Sequence, residues 1–312
     1  MNQIVNTVSN LLNLLVFLVV TLTITGCKSG FSKTVYNFQA QKDDPISKDI
    51  KVALVLGGGG SRAISQIGVI EVLEENNIPI DLIVGTSGGS IVGAIYADNP
   101  NSKHLKKIGL SFKKENLASI SLSDAIEGAR SLRGGFDGAV GEQFLLQNLT
   151  SKYFKELKIP LIAVATDIVS GETIPLRSGR ITPAIRASSA IPGLFSPVEM
   201  YNMVLVDGGV TAPLAVEVAK KYNPKLIIAV DVNTPITKEN VSNMFQLINR
   251  AANLSYDALS KLNGQQADIL IKPDLRGAGL FDDHMNEELY IAGRKEAEKF
   301  IPKIKKLLNL NP

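Results

Sequence analysis

A serine set between small residues at the end of an apolar run is the part of this 312-residue chain best equipped for nucleophilic chemistry. In Asp81-Leu82-Ile83-Val84-Gly85-Thr86-Ser87-Gly88-Gly89-Ser90-Ile91-Val92, a Gly-x-Ser-x-Gly motif separates an apolar run from a helix-compatible one. A strand that turns sharply into a helix holds its serine at the apex, and the strained backbone and close neighbouring chain there call for glycine on both sides. A helix starting at Gly88 points its N–H groups and positive dipole end toward Ser87, where an oxyanion develops during acyl transfer. Ser87 is therefore the candidate nucleophile, although these five residues alone also fit an ordinary strand-to-helix turn.

A second glycine cluster shifts the balance toward chemistry. Val52-Ala53-Leu54-Val55-Leu56 reads as a buried parallel strand, Gly57-Gly58-Gly59-Gly60-Ser61-Arg62 as a tight loop, and Ile64, Ile67, Gly68, Ile70, Glu71 and Leu73 follow at helical spacing. Consecutive glycines let bare backbone N–H groups face a ligand, which suits an oxyanion, a phosphate or a dinucleotide. The nucleotide reading is the weaker one, because Gly58-x-Gly60 runs on to Ala63 rather than glycine and no Lys-Ser/Thr follows the loop. A membrane-tethered nucleotide- or lipid-binding module built on this loop is the non-enzymatic alternative.

Serine catalysis needs a base, and the chain has only His104 and His284. Both fall in polar stretches without a strand-end setting and read as surface histidines. Asp207 is the better candidate. Met203-Val204-Leu205-Val206 is a short apolar strand, Asp207-Gly208-Gly209 turns, and Pro213 to Val218 reads as a helix with proline in its first turn. An acid at a strand's carboxyl end is expected on the same rim of a parallel sheet as an elbow serine. Asp167, ending the apolar run from Leu161, is the rival carboxylate. Ser87, Asp207 and His284 also occur in the chain order of an α/β-hydrolase triad, which is the enzymatic alternative.

Gly57 to Arg62, Gly85-Thr86-Ser87-Gly88-Gly89 and Asp207-Gly208-Gly209, in that order and at those separations, resemble the three signatures of the patatin-like phospholipase family. Val164-Ala165-Thr166-Asp167 with Gly171-Glu172, and Ile185 to Phe195, are similar to stretches common in its bacterial members. The resemblance implies a three-layer α/β/α fold with a mostly parallel central sheet. It also implies a serine–aspartate dyad without histidine: Ser87 as nucleophile, Asp207 as base, and Gly58, Gly59 and Gly60 as the oxyanion loop. The substrate class it implies is a phospholipid or other acyl lipid, with no cofactor. The sequence departs from the family pattern at Ala63, where glycine is usual, and at Gln66, where bacterial members often have histidine.

The chemistry expected of these groups is ester cleavage. An ionised Asp207 accepts the Ser87 proton as the oxygen attacks an ester carbonyl, the loop amides hold the oxyanion, and water cleaves the resulting acyl-enzyme. Asp is a weak base at its reference pKa of about 3.9, so the site must hold it close and keep water scarce. Arg62 either contacts a substrate phosphate or anchors the loop to a carboxylate, and the anchoring role is the preferred reading.

The first 26 residues contain no Lys, Arg, Asp or Glu, and Leu11 to Thr23 is almost wholly apolar before Ile24-Thr25-Gly26-Cys27. This reads as a short export signal, residues 1–26, ending at a sequence that looks like a bacterial lipobox. Cys27 is the chain's one cysteine, so no disulfide forms within the chain and its position suits lipidation. The expected location is a cell-envelope membrane, anchored through Cys27, with the active site outside the cytoplasm. Residues 27–50 are polar, show no period and read as a tether; residues 51–312 alternate strand and helix as one parallel-sheet domain. Val241, Met244, Phe245, Ile248, Ala251 and Ala252 mark a helix read as core, Glu287 to Leu308 another helix, and Asn99 to Thr150 a candidate lid. A net charge of +3 without a basic run gives no support for nucleic acid, and no Cys/His cluster suggests a metal.

Overall fold

The computed structural model describes residues 34–37, 46, 49–113, 115 and 138–310. The expected signal segment, Cys27 and the middle of the expected lid, residues 116–137, lie outside the described residues. In chain order the elements are β1 (Thr34–Tyr36), β2 (Val52–Leu56), α1 (Ile64–Glu75), β3 (Leu82–Thr86), α2 (Gly88–Asp98), α3 (Ser102–Leu110) and α4 (Ala139–Asn148). There follow β4 (Leu161–Asp167), β5 (Thr173–Leu176), α5 (Ile181–Ser188), β6 (Val198–Met200), β7 (Met203–Asp207), α6 (Val216–Lys220) and β8 (Leu226–Val230). The chain ends with α7 (Met244–Gly264), β9 (Ile269–Ile271), α8 (Asn286–Glu298) and α9 (Ile301–Leu307).

The strands read as unbroken apolar runs because both faces of the sheet are covered. Val52, Leu54 and Leu56 of β2 join one buried cluster with α1, α2, α3, α5 and α8, whereas Ala53 and Val55 join a second cluster with α6. The same alternation holds for β3, β4 and β8, which makes the molecule a three-layer α/β/α sandwich. The strand order is β1-β6-β7-β4-β3-β2-β8-β9, with β5 paired to β4.

The centre of the sheet, from β4 through β3, β2 and β8 to β9, is parallel, but β7 runs antiparallel to β4. This corrects the expectation that Asp207 ends a parallel strand. Strand β3 pairs with β4 only as far as Thr86↔Val164, and β7 takes over from Asp207↔Ala165 to Leu205↔Asp167. The other edge of β4 is occupied by β5 across Ala163 to Thr166. Strands β3 and β7 therefore approach each other head-on along one edge of β4, and their carboxyl ends meet.

Four further expectations need correction. Within the stretch read as a tether, Thr34–Tyr36 pairs in parallel with Val198–Met200 as an edge strand, a role that three residues without a clear period do not announce. The helix expected from Pro213 begins only at Val216, because the Ala212 and Pro213 carbonyls accept hydrogen bonds from Thr86 Oγ1 and the Gly58 N–H instead of entering a helical ladder. Met244 and Ile248 of α7 are 69% and 61% exposed rather than core, since this helix packs through its second half, at Asp257, Ser260 and Gly264. The expected helix from Glu287 to Leu308 is two helices, α8 and α9, the second starting with Pro302 in its first turn, where a missing N–H costs nothing.

Candidate active site

Ser87 stands between β3 and α2 with φ 53° and ψ −125°, a left-handed-side conformation that an L-residue adopts only when its surroundings enforce it. The enforcement comes from close packing. A Cβ on Gly89 would lie 2.2 Å from the Leu56 carbonyl oxygen, and one on Gly85 would lie 2.6 Å from the Ser90 Cα. The Ser87 N–H donates to Ser188 Oγ (3.1 Å), and the Ser188 hydroxyl donates onward to the Val164 carbonyl (2.6 Å). The Ser87 carbonyl accepts from the N–H of Ser90 (2.8 Å), which starts the first turn of α2.

Asp207 is 5% exposed and meets Ser87 where β7 and β3 converge. Its Oδ1 accepts from the Gly209 N–H (2.7 Å), and its Oδ2 is buried without a well-formed hydrogen bond. Burial pushes the Asp207 carboxyl up to about 6, with the neighbouring Ser87 hydroxyl and the Gly209 N–H pulling the other way. Ser87 is thus close enough to act on the proton affinity of Asp207. The Asp207 backbone is held from both sides: its N–H donates to the Ala190 carbonyl (2.9 Å), and its own carbonyl accepts from Thr166 Oγ1 (3.1 Å). The end of α5 therefore fixes both partners, Ser87 through Ser188 and Asp207 through Ala190.

The three glycines expected to form an oxyanion loop divide into two kinds. The Gly58 N–H donates to the Pro213 carbonyl (3.0 Å) and is not free for a ligand. The N–H groups of Gly59 and Gly60 find no acceptor among the described residues. Gly60 has φ +57°, and a Cβ on it would lie 2.1 Å from the Leu280 carbonyl oxygen. Arg62 anchors the loop, as preferred, but not through a carboxylate contact: its Nε donates to the Gly59 carbonyl (3.2 Å) and its Nη1 to Thr234 Oγ1 (2.8 Å). Burial draws its pKa down, opposed by the electrostatic influence of Tyr256 and Asp231 beside it.

Ser87, Gly60 and Gly88 open onto a cleft whose other walls are almost wholly apolar: Ile67, Ile91, Ile95, Leu105, Phe112 and Phe144 among them. Helices α3 and α4, which form the two ends of the stretch expected as a lid, supply Leu105, Ile108 and Phe144. His104 and His284 are exposed and line no part of this cleft, so the structure does not bring a histidine to Ser87 and Asp207. Asp167 is held elsewhere. Burial raises its pKa, but hydrogen bonds from Ser170 and from the backbone N–H groups of Val169 and Val204 outweigh that and leave it below the usual carboxylate range. Among the described residues no group of His, Cys, Asp or Glu could hold a metal ion.

Tyr256, Ser188, Ala190 and Gln66 had no role assigned to them from sequence. Tyr256 Oη donates to the Gly58 carbonyl (2.6 Å) and Gln66 Nε2 to the Gly57 carbonyl (2.7 Å). Ser188 and Ala190 fall in the Ile185 to Phe195 stretch and Gln66 at a departure from the family pattern, but neither signal names a partner, and Tyr256 carries no signal at all.

A strained strand-to-helix serine, a buried acid at the meeting of two strands and a glycine loop thus stand together at one end of the central strands of an α/β sheet. The patatin-like phospholipase family profile matches residues 54–220, more than half of the chain, and the chain belongs to that family. It is similar to patatin-like phospholipase domain-containing protein 6 of Mus musculus, 31% identical over 185 residues, covering 59% of this chain and 14% of that protein. It is also similar to lysophospholipase NTE1 of Scheffersomyces stipitis, 31% identical over 276 residues, covering 80% of this chain and 18% of that protein. An uncharacterized NTE family protein of Mycobacterium bovis is 35% identical over 190 residues, covering 60% and 50%. The chain thus spans half or less of these curated relatives' lengths. Among solved structures, VipD from Legionella pneumophila superposes with a TM-score of 0.47 at 13% identity, covering 89% of this chain and 72% of that one.

Proposed function

We propose that the chain is a lipid acyl hydrolase in which Ser87 is the nucleophile and Asp207 the general base. The observation that carries this reading is the pairing of a strained serine with a buried carboxylate of pKa about 6 at the mouth of an apolar cleft. At neutral pH Asp207 is ionised and takes the Ser87 proton as Oγ bonds to the ester carbon. The oxyanion is received by the Gly59 and Gly60 N–H groups. Collapse of the tetrahedral intermediate breaks the ester C–O bond, and the proton on Asp207 passes to the leaving alcohol. Water then attacks the acyl-enzyme, giving a proton to Asp207; collapse of this second intermediate breaks the bond to Ser87 Oγ, which takes that proton back as the carboxylic acid leaves.

The apolar cleft suits a fatty acyl chain, each buried methylene being worth about 0.8 kcal/mol. The family name and the relatives named as a phospholipase-domain protein and a lysophospholipase support a phospholipid or lysophospholipid ester as substrate. We extend the proposal to location: Cys27, after an uncharged apolar segment, carries acyl chains and holds the domain at an envelope membrane outside the cytoplasm. Two or more acyl chains make such attachment durable, where one is marginal.

The catalytic reading is tested by incubating wild type, Ser87→Ala and Asp207→Asn with defined phospholipids and identifying the products. Wild type releases free fatty acid, and each variant loses activity by orders of magnitude. Near wild-type hydrolysis by either variant defeats the assignment. Intact mass of the membrane fraction tests the anchor: a chain beginning at Cys27 plus lipid is expected, and Cys27→Ser leaves an unprocessed precursor.

A further inference from the structure

We infer that the two N–H groups offered to the oxyanion are aimed by side chains bonded to the far side of their own peptide units, and that Tyr256 is the positioning residue for the first of them. This rests on the hydrolase reading above. A trans peptide unit is planar, with its C=O and the following N–H pointing in opposite directions, so holding the one fixes the other. Three successive loop carbonyls are each held by a different side chain. Gln66 Nε2 donates to Gly57 O (2.7 Å), Tyr256 Oη to Gly58 O (2.6 Å) and Arg62 Nε to Gly59 O (3.2 Å). The same peptide units carry the N–H groups of Gly58, Gly59 and Gly60. Gln66 thereby sets the Gly58 N–H toward Pro213, Tyr256 sets the Gly59 N–H, and Arg62 sets the Gly60 N–H.

Glycine needs such fixing more than any other residue, because its backbone samples both signs of φ at little cost. If the Gly58–Gly59 peptide flips, a carbonyl oxygen takes the place of the donor and faces the developing negative charge. Tyr256 is placed to prevent this. Its ring also lies against the turn that carries Asp207: a Cβ on Gly209 would fall 2.7 Å from Tyr256 Cε2. One side chain therefore touches both the oxyanion loop and the base-bearing turn. Burial, and then the charge of Asp207, push the Tyr256 phenol up, so it remains a donor across the working pH range.

Helix α7 is anchored on either side of Tyr256 in a way that keeps this hydroxyl in place. Asp257 accepts from Asn233 Nδ2 (2.9 Å), and Ser260 Oγ donates to Asp231 Oδ1 (3.0 Å). The Asp231 carboxylate is paired in turn with Lys272 (2.9 Å). These contacts fix the helix to the ends of β8 and β9, beside the strand that delivers the glycine loop.

The test is Tyr256→Phe, which keeps the ring and removes one hydrogen bond. On a soluble ester, kcat is expected to fall about ten- to hundredfold with KM nearly unchanged, because the lost contact matters only once the oxyanion forms. Phosphonylation of Ser87 by a fluorophosphonate slows in parallel, while the pH midpoint of the residual activity stays in place. Hydrogen exchange over residues 57–63 accelerates without any substrate present. Arg62→Lys loses the Nε donor but keeps the residue's backbone N–H on the same Gly59 carbonyl (3.2 Å), so its effect through Gly60 is smaller. Unchanged exchange in Tyr256→Phe together with unchanged kcat overturns the inference. A fall in kcat matched by a rise in KM, or a shifted pH midpoint, also overturns it, by assigning the phenol to substrate or to Asp207. A wild-type chain that cleaves no ester and takes no phosphonate refutes the hydrolase reading instead, and the exchange measurement still decides whether Tyr256 clamps the loop.

Discussion

Replacing Asp207 by asparagine should abolish activity and stabilise the fold, and the size of the gain should depend on pH. The carboxyl is pushed from an ordinary value of 3.8 to about 6 in the folded chain, chiefly by burial. A folded-state pKa above the unfolded value means that the folded state favours the protonated acid. The stability this contributes is fully present below pH 3.8 and is lost as pH rises through about 6. A shift of roughly two units at 1.36 kcal/mol each puts the cost of an ionised Asp207 at about 3 kcal/mol above pH 7. An asparagine side chain at this position has nearly the same shape, keeps an oxygen for the Gly209 N–H and carries no charge. The advantage of Asp207→Asn over wild type should therefore be near zero at pH 3, about 0.5 kcal/mol at pH 4 and about 3 kcal/mol at pH 8.

For a domain of this size that corresponds to a melting temperature higher by about 5–10 °C at pH 8, read by thermal unfolding of both proteins across the range. A difference that does not vary with pH refutes the argument, and so does an Asp207→Asn variant less stable than wild type at pH 8. The second outcome has a specific meaning. A charged partner such as a protonated histidine stabilises an ionised aspartate, so in a Ser-Asp-His triad removing the carboxylate charge costs stability near neutral pH. The sign of the change thus separates the dyad from the triad without any substrate.

Three further outcomes follow from the same geometry. Initial rates measured as kcat/KM should rise with pH through a midpoint near 6 and then level off, because only the ionised Asp207 can take the serine proton. Ser87→Gly relieves the strain of φ 53° and should raise stability by about 1 kcal/mol, after allowing for glycine's greater freedom when unfolded, while hydrolysis disappears; unfolding at pH 5, where Asp207 is largely protonated, measures it. Gly109→Leu should cut hydrolysis of p-nitrophenyl palmitate relative to the butyrate by about tenfold or more. Gly109 lines the cleft and its new side chain must displace Ile67 Cδ1, which a Cβ would meet at 2.1 Å; equal loss on both esters would show that the acyl chain does not reach this wall.

The parts of the site legible in the sequence are those whose chemistry constrains the local backbone. Ser87 announces itself because a strained elbow tolerates only glycine at positions 85 and 89, and the oxyanion loop because Gly60 must have positive φ against Leu280. Asp207 announces itself through Gly208, where a Cβ would lie 2.1 Å from the Val164 carbonyl oxygen. Tyr256 and Ser188 leave no such trace. They act across 198 and 101 residues of chain, through an ordinary hydroxyl on an ordinary helix. The direction of β7 was equally hidden, because an apolar strand buried on both faces has the same composition whichever way it runs. The exposed face of α7 is hidden in the sequence for a related reason: helical periodicity shows that a face is apolar and not whether anything covers it.

In the proposed mechanism, the antiparallel run of β7 is what would let a dyad work without histidine. In a parallel arrangement an acid at one strand's end and a serine at the next would lie side by side on the rim of the sheet. Here β3 and β7 meet end to end along β4, so the acid arrives from the opposite direction and is enclosed by the elbow, Thr166 and the end of α5. Enclosure costs the folded state about 3 kcal/mol at neutral pH. The same enclosure makes Asp207 a base roughly a hundredfold stronger than an exposed aspartate, while its pKa of about 6 still leaves it mostly ionised at pH 7. A pKa much higher would leave the carboxyl protonated, and one near the ordinary value would leave it too weak to draw the serine proton. The head-on meeting of two strands thus supplies by burial a proton acceptor in the range where histidine ordinarily serves.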